Sequence, residues 1–80
     1  FIEADNDYVQ IYTEKQTIRT HCTLKEIFTK LPKYFIKTHR SYIINKRYAS
    51  ILSTTSLKIL EYTIPISRAY QADLKNYLFN

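Results

Sequence analysis

The 80-residue sequence contains no glycine, no tryptophan and a single cysteine. Without glycine the chain cannot form the phosphate-binding loops of the P-loop or GxGxxG kind, because their tight turns require that residue. An EF-hand loop is excluded for the same reason, although the acids Glu3, Asp5 and Asp7 alternate along the chain. We predict a turn at Asp5-Asn6-Asp7 in preference to a cation site, since Asn and Asp tolerate a positive φ better than other residues with a side chain.

The single cysteine, Cys22, excludes a disulfide within the chain and is typical of a reducing compartment, so we expect a cytoplasmic protein. It lies beside His21, but neighbouring residues of an extended segment point to opposite faces, which argues against a nucleophile–base pair. Cys22 also precedes Thr23 and can pack against Ile27 at the start of a helix. We predict that the protein is not an enzyme, with no catalytic residue, no metal site and no cofactor.

The net charge of +5 is unevenly distributed, because the acids Glu3, Asp5, Asp7 and Glu14 stand near the start of the chain. No acid occurs between Glu26 and Glu61, an interval that contains seven cations: Lys30, Lys33, Lys37, Arg40, Lys46, Arg47 and Lys58. A surface of one sign attracts a polyanion, whereas a solvated lysine-rich face explains the same charges equally well. No apolar run approaches the ~20 residues that cross a membrane.

The apolar pattern predicts a mainly β fold with two short helices, an α+β architecture in one domain. Thr23 and Glu26 have the spacing of a capping box, and a helical stripe follows them until Pro32: Leu24, Ile27, Phe28 and Leu31. Ser67 is a good N-cap for a second helix with the stripe Tyr70, Leu74, Tyr77 and Leu78. The predicted β segments are 8–13, 16–20, 35–44, 49–52, 57–60 and 62–66, and residues 38–41 interrupt the third one with polar side chains.

That polar interruption is the best candidate for an interface with nucleic acid. Residues 37–41 hold three possible cations and two hydroxyls between apolar flanks, and such groups bond phosphates and base edges. A satisfied structural histidine is an equally good explanation of His39. Arg68 lies in the first turn of the second predicted helix, where free N–H groups favour an anion. A solvated surface arginine is the alternative there.

Five segments together resemble the LytTR DNA-binding family over nearly the whole chain: residues 1–4, 7–11, 23–32, 35–45 and 64–70. The most specific are His-Arg-Ser-Tyr-Ile-Ile-Asn at 39–45 and Ile-Ser-Arg-Ala-Tyr at 66–70. The resemblance implies an elongated arrangement of small β-sheets. It also implies an output domain of a bacterial response regulator in a two-component system, usually placed after a phosphorylated receiver domain. Such domains bind double-stranded DNA through loops and strand ends in successive major grooves of tandem sites.

The resemblance also implies roles for particular residues. Base reading falls to His39 and Arg40 in one loop, to Arg68 in another, and to a turn formed by Asn6, Asp7, Tyr8 and Val9. Phosphate contacts fall to Lys37, Ser41 and Ser67, and we add the basic pair Lys46 and Arg47 as phosphate candidates. The family often has Arg at the position of Lys37, so a bidentate phosphate contact is lost there.

The family also has strand sequence before the segment that begins at Phe1, and Phe1 is not Met. We therefore expect a chain cut from a longer protein, lacking its first strand or strands and any N-terminal receiver domain. We expect a monomer in isolation, because no heptads or long apolar helix offer a dimer seam. On DNA we expect a dimer, formed through tandem sites or through a receiver domain.

Two other classes of function compete with duplex binding. Membrane binding would favour a basic amphipathic helix, but the cations here are spread over predicted strands and loops, and acidic proteins are the remaining partner in that class. RNA or single-strand binding would need exposed aromatic rings for stacking, and eight Tyr keep that alternative open.

We predict that affinity for duplex DNA falls steeply as salt rises. Residues 27–60 contain no acid, and their cations should release counterions from the phosphates that they neutralise. Binding titrations between about 50 and 200 mM salt give the slope of log affinity against log salt concentration. A slope near zero would contradict the polyanion interpretation.

Overall fold

The computed structural model describes the backbone of residues 1–78 and the side chains of residues 1–74. It measures 33 × 24 × 21 Å and is built mostly of antiparallel strands with two helices, which confirms the predicted fold class. The elements are β1 Ile2–Asp5, β2 Tyr8–Tyr12, β3 Thr17–Thr20, α1 Leu24–Phe28, β4 Phe35–His39, β5 Tyr42–Asn45, a 3-10 turn Lys46–Tyr48, β6 Ser50–Ile51, β7 Ser56–Ile59, β8 Tyr62–Pro65 and α2 Arg68–Leu78. Neither helix, within the described residues, is long and apolar enough to cross a membrane.

The strands form a five-stranded sheet in the order β3-β2-β1-β5-β4 and a three-stranded sheet in the order β6-β7-β8. Two features differ from the sequence-based prediction. Residues 2–5 form the central strand of the larger sheet, although the sequence had predicted no strand there and had placed Asp5 in the turn before Tyr8. The predicted segment 35–44 is two strands joined by a turn at Arg40 and Ser41, because its polar centre reverses the chain.

Two hydrophobic clusters lie on opposite faces of the five-stranded sheet, because successive side chains of a strand point to opposite sides. One fills the space between this sheet, the three-stranded sheet and α2, and its buried members are Phe1, Ile36, Ile44, Leu57, Ile59, Ile64, Ile66 and Leu74. The other lies under α1 and contains Ile2, Val9, Leu24 and Ile43. The larger sheet is thus held from both sides. Tyr70 and Leu74 of the predicted second stripe pack as expected, and the side chains of Tyr77 and Leu78 lie outside the described residues.

Because the chain has no glycine, residues with a side chain adopt positive φ angles in two of its turns. Asn6 adopts φ 57° in the turn between β1 and β2, as the tolerance of Asn for this region predicts. Leu60 adopts φ 55° between β7 and β8, which is costly for a side chain of that size. The Leu60 side chain packs against the larger hydrophobic cluster, and this packing offsets part of the backbone strain.

Helix α1 begins with the predicted capping box. The hydroxyl of Thr23 accepts a hydrogen bond from the Glu26 backbone at 3.1 Å, and the Glu26 carboxylate accepts one from the Thr23 backbone at 3.1 Å. The helix ends at Phe28, earlier than the apolar stripe had suggested, although Leu31 still packs under it. Cys22 packs in the same cluster as Ile27, which supports its structural interpretation.

We predict that Thr23→Ala lowers the free energy of unfolding by about 1 kcal/mol, the usual effect of removing an N-cap hydroxyl. For a domain of this size the midpoint of thermal unfolding should fall by about 4–8 °C. Thr54→Ala is the matched control, because Thr54 is exposed in a turn and its side chain makes no hydrogen bond within the described residues. Circular dichroism melts of both variants measure the effect, and equal midpoints would contradict it.

Candidate nucleic-acid interface

The fold brings three of the predicted contact segments to one end of the five-stranded sheet. Strands β1 and β5 pair side by side, with Glu3 opposite Tyr42. The Ala4 backbone donates to the carbonyl of Ser41 at 2.8 Å, so the β1–β2 turn lies next to the β4–β5 turn. The start of α2 joins them, because the Ser67 backbone donates to the carbonyl of Thr38 at 2.9 Å. Residues more than 60 positions apart thereby line one edge of the molecule.

The first of these segments is the β1–β2 turn. Asn6 and Asp7 are exposed at its tip, and Tyr8, which begins β2, is 38% exposed. The ring of Tyr8 contacts the side chain of Arg19, on β3, and that of His21, which follows β3. The guanidinium of Arg19 stands 4.4 Å from the centre of the Tyr8 ring, and the His21 ring stands 4.9 Å from it.

Val9 does not fit the role suggested for it. Its side chain is completely buried in the cluster under α1, so it cannot reach a base from this fold. Alternation along β2 explains the difference, because Tyr8 and Val9 point to opposite faces of the sheet. Val9 holds the base of the turn in place and is removed from the candidate contacts.

The second segment is the turn between β4 and β5. Arg40 is exposed, and His39 is half-buried with its imidazole fixed in place. Nδ1 of His39 accepts a hydrogen bond from the backbone N–H of Ser41 at 3.1 Å. In the neutral ring this places the proton on Nε2, which can then donate to an acceptor. The His39 ring also meets the ring of Tyr42 edge-on, with centroids 5.7 Å apart.

A β-bulge in β4 determines which way His39 points. Lys37 pairs with Ile43 and His39 pairs with Tyr42, which leaves Thr38 as the extra residue. Simple alternation would place Lys37 and His39 on one face, whereas the bulge sends them to opposite faces. Lys37 consequently lies on the α1 side, with its ammonium 5.8 Å from the centre of the Phe28 ring. Lys37 is therefore close to His39 in sequence but does not share its face.

Thr38 is completely buried, and its hydroxyl has no hydrogen-bond partner among the described residues. Its carbonyl, by contrast, accepts the bond from Ser67 described above. The bulge therefore connects the β4–β5 turn to the third segment, the start of α2. Arg68 is exposed in the first turn of this helix, and Ser67 is half-buried just before it. The helix begins after Ser67, as its N-cap preference predicts.

Lys46 and Arg47 lie apart from these three segments. They follow Asn45, the last residue of β5, which lies roughly 10 Å along the strand from Tyr42 at about 3.3 Å per residue. The Arg47 guanidinium stacks 4.0 Å from the centre of the Tyr34 ring, and the Asn45 carboxamide accepts a bond from the Arg47 backbone at 3.0 Å. The pair therefore belongs to a second basic area at the opposite end of the sheet.

The arginines of this region differ in whether they have an ion-pair partner. Arg40 and Arg68 have no ion-pair partner among the described residues, so both guanidinium groups are available to a phosphate or a base. Arg19 pairs with Asp5 at 2.9 Å, and Asp5 also accepts a bond from Gln10 at 3.2 Å. In the part of the chain that the structure describes, no three His, Cys, Asp or Glu side chains gather into a possible metal site.

Sequence reasoning overlooked the side chains that surround the predicted contacts. Arg19 and His21 contact the Tyr8 ring, Tyr42 contacts the His39 ring, and Glu3 accepts a hydrogen bond from the Tyr42 hydroxyl. Alternation predicts that Arg19 and His21 point to the same side of the sheet. It does not predict that this is the side of Tyr8, because that depends on the register of β2 against β3. That register is set by the turn at Glu14 and Lys15, which has no glycine to mark its type.

Two hairpin turns and the start of a helix thus meet at one end of a β-rich domain, and two of these segments present an arginine that has no ion-pair partner among the described residues. The sequence profile of the LytTr DNA-binding domain family matches residues 1–79, and the chain belongs to that family. It is therefore a DNA-binding domain of a bacterial transcription regulator of the response-regulator class.

The fold also agrees with a solved structure. A structure described as the LytTr DNA-binding domain of a methyl-accepting/DNA response regulator from Bacillus cereus superposes with a TM-score of 0.80 at 25% sequence identity. The alignment covers 96% of this chain and 77% of that one. No curated protein sequence matches the chain significantly.

Proposed function

We propose that this domain binds double-stranded DNA sequence-specifically, by placing its turns and the start of α2 in successive major grooves of tandem sites. The observation that carries the proposal is the shared edge: the β1–β2 turn, the β4–β5 turn and the start of α2 are connected by backbone hydrogen bonds. The major groove, about 12 Å wide, admits a two-stranded ribbon or a helix end. No other single edge of the described residues presents so many predicted contacts together.

The side chains along this edge differ in the base groups that they can bind. Arg68 can fork onto O6 and N7 of guanine, the commonest specific contact in the major groove. His39 donates from Nε2 and so selects an acceptor on a base edge. Asp7 carries a negative charge that phosphates repel, and its carboxylate suits the amino group of cytosine. Asn6, Tyr8 and Arg40 complete the candidate base contacts.

Other residues are proposed to contact phosphates on either side of the base-reading residues. Ser41 and Ser67 are half-buried beside His39 and Arg68, where a phosphate oxygen can approach a backbone already held in place. Lys37 reaches the duplex from the α1 side of the sheet. Lys46 and Arg47 lie far enough away to contact the backbone of the duplex beyond the reading edge.

In the cell, the proposed role is that of a cytoplasmic output domain whose two copies occupy tandem sites, or dimerise through a receiver domain. The function needs no catalytic residue, cofactor or membrane contact. A titration that compares a selected duplex, a random duplex and a single strand tests the proposal. Equal affinity for all three would contradict sequence-specific duplex binding.

We predict that the domain alone is a monomer, because its net positive charge disfavours self-association. The large apolar side chains that remain exposed outside the two internal clusters, among them Tyr48 and Leu52, stand singly along the chain. Light scattering at micromolar concentration measures the mass in solution. A stable dimer without DNA would show that an uncharged seam had been overlooked.

We predict that Arg68→Ala and Lys46→Ala weaken binding in different ways. Loss of the Arg68 guanidinium should cost about 1–3 kcal/mol on the selected duplex and relax preference at one base pair. Loss of Lys46 should weaken all duplexes alike, as expected for a phosphate contact. Affinities for the selected duplex and for its single-base-pair variants separate the two patterns.

Arg47→Ala provides the matched control, since it removes the same type of side chain at the opposite end of the sheet. It should leave the preference at every base pair unchanged. If Arg68→Ala weakened all variants of the duplex equally, Arg68 would be a phosphate contact and its proposed base-reading role would be wrong.

A further inference from the structure

The contacts of His39 continue into a hydrogen-bonded network that crosses three strands. The Tyr42 ring, on β5, meets the His39 ring, on β4, at 5.7 Å and an interplanar angle of 68°. The Tyr42 hydroxyl donates to Oε2 of Glu3, on β1, at 2.7 Å. The other carboxylate oxygen, Oε1, accepts from the Tyr12 hydroxyl, on β2, at 3.1 Å. Glu3 therefore holds one phenol with each oxygen, and only one of the two phenols touches His39.

Among the described residues, these contacts leave one nitrogen of His39, Nε2, without a hydrogen-bond partner. Nδ1 is occupied by the Ser41 backbone, and the ring is backed by Tyr42. Rotation of the imidazole would break the bond from Ser41 and displace it from the Tyr42 ring. The direction in which Nε2 donates is thus a property of the network and not of His39 alone. Because a donor at this position discriminates between base edges by its direction, a looser ring would discriminate less.

We propose that Tyr42 and Glu3 are positioning residues for base recognition: the carboxylate of Glu3 holds the Tyr42 ring against His39 and so fixes the direction of its Nε2–H. The inference rests on the base-reading role proposed for His39. The half-buried position of all three side chains supports it, since a hydrogen bond to a carboxylate is stronger away from bulk water. The bond to Glu3, with burial second, raises the pKa of Tyr42 to about 12, so the phenol keeps its proton at neutral pH.

The chain supplies a matched pair of variants. Tyr42→Phe and Tyr12→Phe each delete one hydroxyl that donates to the same carboxylate. Phe1 stacks on Tyr12 at 4.5 Å, and no ring contact joins Tyr12 to His39 among the described residues. Both variants keep the aromatic ring and the packing of the sheet. Any difference between them in base discrimination therefore reports on the contact with His39.

The experiment uses the 80-residue chain and a duplex selected by it from a random library, together with all single-base-pair variants of that duplex. Tyr42→Phe should reduce discrimination at the base pair read by His39 by about 3- to 10-fold, the usual effect of one hydrogen bond. Affinity for random duplex should stay within about twofold. Tyr12→Phe should leave discrimination unchanged, and thermal melts of both variants establish that they fold.

A double-mutant cycle with His39→Ala separates positioning from direct contact. In the His39→Ala background, Tyr42→Phe should cause no further loss of discrimination, because its effect passes through the imidazole. A loss that persists there would overturn the proposal, since Tyr42 would then act on DNA without His39. The ¹⁵N signals of the His39 ring give a second readout, and Tyr42→Phe should broaden or shift them while Tyr12→Phe should not.

The outcomes also distinguish this proposal from the one on which it rests. If His39→Ala leaves every base preference unchanged, the base-reading role of His39 is wrong. If His39→Ala relaxes one base pair but Tyr42→Phe behaves like Tyr12→Phe, the reading role stands and the positioning role is wrong.

Discussion

The pairing of β1 with β5 is the constraint on which the arrangement of the interface depends. It joins two hairpins that are far apart in sequence, and the bond from Tyr42 to Glu3 spans 39 positions. This pairing joins the two parts of the five-stranded sheet and places the β1–β2 turn next to the β4–β5 turn. Without it the two hairpins would each keep their local turns but lose their common edge. The cost of bringing distant segments together is offset by burial on both faces of the sheet, with Ile2 and Ile43 buried on the α1 side and Phe1 and Ile44 buried on the other.

Two of the backbone irregularities in this protein, the positive φ of Asn6 and the bulge at Thr38, occur in or next to the segments that we propose for DNA contact. The bulge at Thr38 redirects His39, and the same residue carries a buried hydroxyl without a partner in the described part of the chain. A buried hydroxyl of this kind costs free energy, and the strands around it must offset that cost. The carbonyl of Thr38 does have a partner, the Ser67 backbone, and this bond joins the β4–β5 turn to the start of α2. The bulge therefore turns His39 away from the face of Lys37 and also lies at the point where β4 is bonded to the residue before α2.

The acidic first hairpin has a structural explanation that its charge alone did not suggest. Glu3 and Asp5 are engaged by tyrosine hydroxyls, Gln10 and Arg19, so neither is a free charge facing the duplex. Asp7 remains exposed at the tip of the turn. Among the described residues, Asp5 is thus the one acid of this region whose charge is offset by an ion pair, while Asp7 and Glu14 are exposed.

Local chemistry in the sequence was sufficient for the helix starts, most strand segments and the turn at Asn6. Capping at Thr23 and the two-residue alternation of strands depend on neighbours in sequence, so they can be predicted without knowing the fold. Local chemistry also drew attention to residues 37–41 and Arg68 as candidates for binding an anion, and the family resemblance added the expectation that His39, Arg40 and Arg68 read bases. Only the tertiary structure decided that Val9 is buried, that Lys37 and His39 face opposite sides, and that Glu3 reaches Tyr42. These features arise from a bulge and from strand register between distant segments, and no local pattern in the sequence encodes either one.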